Sequence, residues 1–161
     1  LLASRGEQVT VAASGGPDSN EPEFLASIVQ QAGDRGLSKA FRYLGMIPAA
    51  DVYALLRCSA GLINPSRFEG WSTTVEEAKS FNVPMILSDI RVHQEQTLGT
   101  ASYFDPNDAE MLADNLVRSR NVNWHIRPLA ATVDDRVNRF ASEFVRTVRH
   151  AIDAFGSGEP S

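Results

Sequence analysis

The sequence has little of what disulfide-linked, membrane-spanning or metal-binding proteins need. Cys58 is its only cysteine, which excludes an internal disulfide, and an apolar helical context predicts a buried thiol. No apolar run reaches the roughly 18 residues that a transmembrane helix requires. Its histidines do not have the spacing of metal ligands (His93, His125 and His150). The sequence therefore predicts neither a structural nor a catalytic metal.

What is present has the composition of a globular protein. The chain has 161 residues, 43% of them hydrophobic and 22% charged, and we expect one domain over residues 1–155 and a flexible tail over 156–161. A net charge of −5 argues against a nucleic-acid partner. Because a signal peptide is not recognisable, we expect a cytoplasmic protein, with the inner face of the membrane as an alternative contact for the arginine-rich stretch 118–149.

Apolar, β-prone runs alternate with segments of helical periodicity along most of the chain. Five strands are predicted, with connections too long for hairpins: Gln8–Ala13, Phe41–Leu44, Ala60–Ile63, Met85–Leu87 and Ala101–Phe104. This pattern is typical of an α/β fold with a Rossmann-like, doubly wound parallel sheet of five strands. Residues 90–96 are predicted to form a loop, and Val133–Phe155 a long amphipathic helix.

The most informative stretch runs from Gly61 to Asp89 and predicts a strand, a loop, a helix and a second strand. Glu69 is placed in the loop, at the carboxyl end of a strand, where open α/β sheets bind ligands. Glu77 is placed on the helix predicted over Trp71–Phe81, whose buried stripe would include Trp71 and Phe81. Glu76 is predicted to be a solvated surface residue.

The start of that helix is a candidate anion site, because its first N–H groups have no partner and the helix dipole favours negative charge there. Ser72, Thr73 and Thr74 can add hydroxyl groups. Glu69 and Glu77 are acceptors only, so they suit sugar hydroxyls and not phosphate. A phosphate flanked by two hydroxylated rings describes a nucleotide-sugar, which is the predicted ligand.

The segment PSRFEGWSTTVEEA resembles the E-x7-E signature of the group 1 family of retaining glycosyltransferases, also called glycosyltransferase family 4. The resemblance implies the two-domain GT-B fold, with this chain in the C-terminal, donor-binding domain. It implies that Glu69 contacts hydroxyls of the transferred sugar as the catalytic-site carboxylate, and that Glu77 holds the ribose. The diphosphate would meet the backbone around four residues: Gly70, Trp71, Ser72 and Thr73.

The resemblance extends over most of Val9 to Leu116, and implies that main-chain groups of Met46 and Ile47 meet the nucleobase. It also implies that the family's first strand, its diphosphate-binding cations and its N-terminal acceptor domain would precede Leu1. With such side-chain cations, the family needs neither a metal nor another cofactor. An open sheet edge left by a missing strand predicts self-association as a further alternative.

Two other functions are compatible with these residues. One is a sugar-nucleotide epimerase of the same fold, which would bind the same ligand and release a different product. The other is a non-catalytic nucleotide-sugar-binding or scaffold domain. For single residues the simpler interpretations are that Trp71 packs in the protein and that His93 is structural or faces solvent.

Overall fold

The computed structural model describes residues 1–17, 22–120 and 133–156. The chain divides into two compact units, Leu1–His125 and Ile126–Ser161. In the first unit, helices alternate with strands after a short 3-10 turn at Ala3–Arg5. The strands are β1 (Val11–Ala13), β2 (Phe41–Tyr43), β3 (Leu62–Asn64), β4 (Met85–Ser88) and β5 (Ser102–Phe104). The helices are α1 (Pro22–Asp34), α2 (Ala49–Cys58), α3 (Thr73–Ser80), α4 (Arg91–Thr97) and α5 (Ala109–Arg120).

All pairing between strands is parallel, which confirms the predicted α/β fold. β1 pairs with β2, and β4 lies between β3 and β5. The five strands therefore form two ladders, and the prediction of one five-stranded sheet is wrong at this point. In the described part of the chain, β1 pairs with β2 alone and β3 with β4 alone, so no ladder connects the first two strands with the other three.

The core lies around β4. All four of its residues are buried, as expected of a strand with neighbours on both sides. Leu56 of α2, Val75 and Ala78 of α3 and Leu87 of β4 belong to one hydrophobic cluster. Gly61 allows β3 to approach β4 closely, because a Cβ at this position would lie 3.1 Å from the carbonyl oxygen of Pro84.

Most of residues 90–96, predicted as a loop, belongs to helix α4 (Arg91–Thr97). Its buried face consists of His93, Gln96 and Thr97, which have the i, i+3, i+4 spacing of one helix face. Because these side chains are polar, apolar periodicity does not reveal the helix. The interpretation of His93 as structural agrees with its complete burial, and its exposure to solvent is excluded.

Helix α3 is shorter than predicted, because it begins at Thr73 and ends at Ser80. Val75 and Ala78 form the buried stripe, whereas Trp71 is 57% exposed and Phe81 is 37% exposed. Trp71 precedes the N-cap residue and so does not share the helix face, and its predicted packing in the protein is wrong. Cys58, at the end of α2, is also exposed instead of buried.

Polar contacts fix the ends of the first unit. Asp108 caps α5 by accepting a hydrogen bond from the N–H of Met111 (2.9 Å). Arg5 donates to Asp114 (2.6 Å) and to Glu110 of the same helix. The hydrogen bond with Asp114 is the main cause of the raised pKa of Arg5.

The second unit contains the predicted amphipathic helix, α6, over Val133–Gly156. Val137, Phe140, Phe144 and Val148 follow one another at helical spacing, and the rings of Phe140 and Phe144 stack with centroids 6.2 Å apart. Within the described ranges, no helix combines the length and apolarity that crossing a membrane would require. Residues 121–132 and most of the predicted tail lie outside the described residues.

Candidate functional site

The loop between β3 and α3 is held by Asn64, the last residue of β3. Its Oδ1 accepts a hydrogen bond from the N–H of Ser66 (3.1 Å), which makes a local turn. Its Nδ2 donates to Ser72 Oγ (3.0 Å) and to Glu69 Oε1 (3.3 Å). One side chain at the carboxyl end of the strand therefore connects both ends of the loop and its central carboxylate.

Glu69 is half-buried and held through one of its two oxygens. Oε1 accepts hydrogen bonds from Ser66 Oγ (2.8 Å) and Asn64 Nδ2 (3.3 Å). In the described part of the chain, Oε2 has no hydrogen-bond partner. The carboxylate is thus oriented by the protein and retains acceptor capacity for hydroxyl groups.

A cleft of about 390 Å³ opens beside this carboxylate. Glu69 and Gly70 line it from the loop, and Ile90 and Arg91 line it from the start of α4. A Cβ on Gly70 would meet no atom within 4 Å, so the backbone is accessible there. Arg67 also lines the cleft, as does Glu95, which pairs with Arg91, so the charged groups of the lining have both signs.

The amino end of α3 is fixed at Ser72, which is only 4% exposed. The Ser72 N–H donates to Gln96 Oε1 (3.3 Å), and Gln96 Nε2 donates to the Ser72 carbonyl (2.9 Å). Because Ser72 uses its main-chain N–H within the protein, the accessible unpaired N–H groups of this helix end are those of Thr73 and Thr74.

Glu77 lies one helical turn after Thr73 and is half-buried. Its Oε1 is 3.4 Å from the hydroxyl of Tyr53, which donates a weak hydrogen bond from α2. The Tyr53 ring also packs against Phe81, with centroids 5.5 Å apart. Helix α2 thus supports the second carboxylate of the signature, and the sequence pattern did not identify Tyr53.

Met46 and Ile47 lie in the loop that follows β2. Gly45 adopts a positive φ of 70° there, and its carbonyl accepts a hydrogen bond from the N–H of Gly15, which follows β1 (3.0 Å). Met46 is 78% exposed. The structure therefore places this pair at the carboxyl end of the β1–β2 ladder, with Glu69 at the carboxyl end of the other ladder.

Glu76 is part of a polar network and is not the solvated residue that was predicted. Its Oε1 accepts from Lys79 Nζ (2.9 Å) and from Gln96 Nε2 (3.1 Å). Lys79 Nζ also donates to the Gln96 carbonyl (2.6 Å). The three side chains connect α3 to α4, because Glu76 and Lys79 lie on one helix and Gln96 on the other.

A second network lies behind the loop. Ser88 Oγ donates to the carbonyl of Ser66. His93 Nδ1 lies 2.9 Å from the Ser88 carbonyl and 3.1 Å from Ser88 Oγ. Since the carbonyl can only accept, Nδ1 carries the proton. The other ring nitrogen, Nε2, is buried without a partner among the described residues.

The structure brings Glu69 and Gly70 to one cleft. Ser72 is buried and hydrogen-bonded to Gln96, whereas Trp71 is largely exposed to solvent. In the described ranges, no group of three or more His, Cys, Asp or Glu side chains is arranged to hold a metal. The roles predicted for the individual site residues, and the predicted absence of a cofactor, stay predictions.

Comparison with known proteins agrees with this architecture. Residues 1–120 match the family described as Glycosyl transferases group 1. The chain is also 28% identical, over 93 residues, to the O-antigen chain mannosyltransferase B of Escherichia coli. That alignment covers 57% of this chain and 24% of the relative, so the chain spans about a quarter of that protein's length. The chain belongs to the group 1 family of glycosyltransferases.

Proposed function

We propose that this chain is the donor-binding part of a retaining glycosyltransferase that uses a nucleotide-sugar. The observation that carries the proposal is the state of Glu69, which is held through Oε1 and has Oε2 available at a cleft. A carboxylate prepared in this way can accept hydrogen bonds from sugar hydroxyls without first reorganising. Glu69 is the residue we assign to the transferred sugar.

The diphosphate fits the amino end of α3. The N–H groups of Thr73 and Thr74 are unpaired within the helix, and the helix dipole favours an anion at this end. Ser72 contributes by fixing the start of the helix, since its own N–H is engaged. Gly70 gives a ligand access to the backbone, and the exposed ring of Trp71 offers an apolar surface beside it.

The nucleoside fits the side of α3 that faces α2. Glu77 would accept hydrogen bonds from the ribose hydroxyls, with Tyr53 orienting its carboxylate. Met46 and Ile47 would meet the base through main-chain groups. The exposure of Met46 and the open turn at Gly45 support a role in binding a flat ring.

In the proposed reaction, the bond between C1 of the sugar and the diphosphate oxygen breaks, and a bond from C1 to an acceptor hydroxyl forms on the same face. The acceptor hydroxyl gives its proton to the diphosphate oxygen that leaves C1, and the negative charge that develops on the nucleoside diphosphate during this step must be stabilised. Preorganised N–H groups and cations stabilise such a charge. Arg67 lines the cleft beside Glu69 and can contribute such a cation, whereas Arg91 is paired with Glu95 of the same lining.

We extend the proposal to mannose as the transferred sugar, because the Escherichia coli relative is named a mannosyltransferase. A separate acceptor-binding domain is part of the proposal, since this chain spans only about a quarter of that relative. The donor requires no metal in this scheme.

The proposal can be tested by calorimetry on the intact protein, with nucleoside diphosphates and the corresponding nucleotide-mannose and nucleotide-glucose donors. We expect Glu77→Gln to weaken binding of both ligand types by about tenfold or more, because a hydrogen bond to a charged group is worth about 1.5–3 kcal/mol. Glu69→Gln should weaken only the nucleotide-sugar. Glu23→Gln, on the exposed surface of α1, is the matched control.

Product analysis separates the alternatives. A transferase consumes the donor only in the presence of an acceptor and gives a product with the donor's anomeric configuration. Conversion of one nucleotide-sugar into another without an acceptor would indicate an epimerase. Binding without turnover in the intact protein would favour the scaffold, and equal effects of both glutamate variants on the plain diphosphate would contradict the assigned roles.

A further inference from the structure

We propose that Gln96 is a positioning residue for the diphosphate end of the donor site and that it acts through the main chain of Ser72. This inference rests on the function proposed above. Gln96 has no place in the E-x7-E signature: it lies 19 positions after Glu77, on the helix that apolar periodicity does not reveal.

The side-chain amide of Gln96 forms two hydrogen bonds with the main chain of Ser72, one from its N–H and one to its carbonyl. Gln96 Nε2 donates to the Ser72 carbonyl (2.9 Å), and Gln96 Oε1 accepts from the Ser72 N–H (3.3 Å). Gln96 is 4% exposed and Ser72 is also 4% exposed, so water cannot easily replace either bond. A side-chain amide supplies both the donor and the acceptor that this arrangement requires.

Two further contacts hold the amide in place. Gln96 Nε2 also donates to Glu76 Oε1 (3.1 Å), and the Gln96 carbonyl accepts from Lys79 Nζ (2.6 Å). Glu76 and Lys79 are themselves paired at 2.9 Å. The side chain and main chain of Gln96 are thus bound to the first and second turns of the same helix, which limits rotation of α3 relative to α4.

This placement matters because Ser72 is the N-cap residue of α3. The direction of the following N–H groups, at Thr73 and Thr74, depends on the dihedral angles of the N-cap and the first turn. A phosphate bound to those groups needs them aligned before it arrives, since alignment upon binding would cost affinity. By binding both main-chain polar groups of Ser72, Gln96 keeps the N–H groups of this helix end aligned for a phosphate.

The fold itself does not depend on Gln96 to the same degree. Val75 and Ala78 pack α3 into the hydrophobic cluster, and Asn64 holds the other side of Ser72 through its hydroxyl. Removal of the amide should therefore make the amino end of α3 more mobile while the rest of the helix stays packed. A positioning role predicts a loss of diphosphate affinity, whereas a purely structural role predicts only a lower Tm.

The experiment compares Gln96→Met with Gln94→Met in the intact protein. Gln94 lies on the exposed face of the same helix, so its substitution controls for the change in side-chain chemistry. The probes are GDP and GMP, and UDP and UMP, with calorimetry for affinity and circular dichroism for Tm. For a pair that binds, we expect Gln96→Met to weaken the diphosphate about tenfold and the monophosphate distinctly less.

The ratio between diphosphate and monophosphate affinity is the decisive readout. A lower Tm with an unchanged ratio would show that Gln96 is only structural, and would overturn the inference. If the wild-type intact protein binds no nucleoside diphosphate, the proposed function fails and the inference fails with it. If the wild type binds the diphosphate and the two variants have the same ratio of diphosphate to monophosphate affinity, the inference is overturned and the proposed function is not.

A charge-matched exchange provides a second test. Gln96→Glu places a carboxylate against the Ser72 carbonyl and against Glu76, and should lower both Tm and diphosphate affinity. Adding Glu76→Gln restores an amide-to-carboxylate hydrogen bond between positions 76 and 96, while the Ser72 carbonyl stays without this donor. We expect the double variant to recover Tm and not diphosphate affinity. Recovery of both would mean that Gln96 acts through Glu76, contrary to the proposal.

Discussion

Residues 1–55 and residues 56–120 have the same alternation of strand and helix, and yet they bury their side chains differently. All residues that the structure shows as fully buried in the first unit lie in the second stretch. In the described part of residues 1–55, even the large apolar side chains Phe24 and Val29 are 59% and 39% exposed. The same local pattern has therefore led to two levels of packing.

The difference follows from strand pairing. β1 and β2 each have three residues and one neighbour, whereas β4 has four residues and a neighbour on each side. A strand in the middle of a ladder is covered on both edges and, when helices pack on it, on both faces. β4 is fully buried for this reason, and the helix that bears Glu77 packs on this region.

This contrast has a consequence for the candidate site. Glu69 and Ser72 are held by polar side chains from the packed region, which favours a fixed geometry there. The Met46 turn belongs to the less packed region. Under the proposed function, the sugar and the diphosphate would therefore meet a fixed geometry and the base a more adaptable one.

A pair of leucine truncations should give the largest difference in stability between the two stretches. Leu87→Ala, at a fully buried position in β4, should lower the free energy of unfolding by about 2–5 kcal/mol through lost contacts and a cavity. Leu44→Ala, at a position that is 39% exposed after β2, should cost about 1 kcal/mol or less. Urea denaturation followed by circular dichroism measures both. Equal losses would contradict the difference in packing.

A pair of serine substitutions tests the polar contacts. Ser88→Ala removes the hydroxyl that bonds the Ser66 carbonyl and should cost about 1–3 kcal/mol, because Ser88 is fully buried. Ser27→Ala removes a local bond to the Phe24 carbonyl on an exposed helix face. It should change stability little, since alanine is the better helix former. A cost at Ser27 as large as that at Ser88 would be inconsistent with burial as the cause.

The sequence predicted the features that depend on apolar periodicity. It located all five strands to within a few residues, and the α/β class followed from their alternation. Helix α4 was missed because the side chains that it buries are polar. The separation into two ladders could not be predicted, since hydrophobic pattern does not specify which strand edges pair.

For the candidate site, the sequence predicted Glu69 and Glu77 because their spacing is local and characteristic, and their roles stay predictions. It did not identify the residues that support them. Tyr53 and Glu77 are 24 positions apart, and so are Ser72 and Gln96. Such contacts arise from the packing of α2 and α4 against α3, which a single sequence does not reveal.

A pair of tyrosine substitutions within residues 1–55 should give a smaller effect on stability. Tyr43→Phe, in the first stretch, removes a 2.6 Å hydrogen bond to the Gly15 carbonyl at a half-buried position and should cost about 0.5–1.5 kcal/mol. Tyr53→Phe, in the same stretch but directed toward Glu77, removes a 3.4 Å contact and keeps the ring packing with Phe81. It should cost less stability.

Tyr53→Phe should act mainly on the ligand. We expect a two- to fivefold loss of nucleoside diphosphate affinity, because Glu77 loses an orienting partner. Calorimetry and urea denaturation on both variants separate these effects. A large stability loss in Tyr53→Phe, with nucleotide affinity intact, would show that its hydroxyl serves the fold and not Glu77.

The smallest expected change in stability comes from an exposed ion pair, and it tests whether burial or the number of polar contacts stabilises residues 56–120. Arg91 donates to Glu95 one turn later on α4 (2.8 Å), within the packed stretch, but its side chain is 92% exposed. An exposed i, i+4 pair contributes about 0.3–0.5 kcal/mol, because water screens the charges and two long side chains lose freedom. Arg91→Gln should therefore change the urea midpoint only slightly, and that change should disappear as salt is raised to about 1 M. Gln94→Ala, which removes the hydrogen bond of an uncharged side chain to Asp89 on the same exposed face, is the control. A loss above 1 kcal/mol that persists in high salt would show that Arg91 is held more firmly than its exposure indicates, and that the second stretch derives stability from its surface as well as from its core.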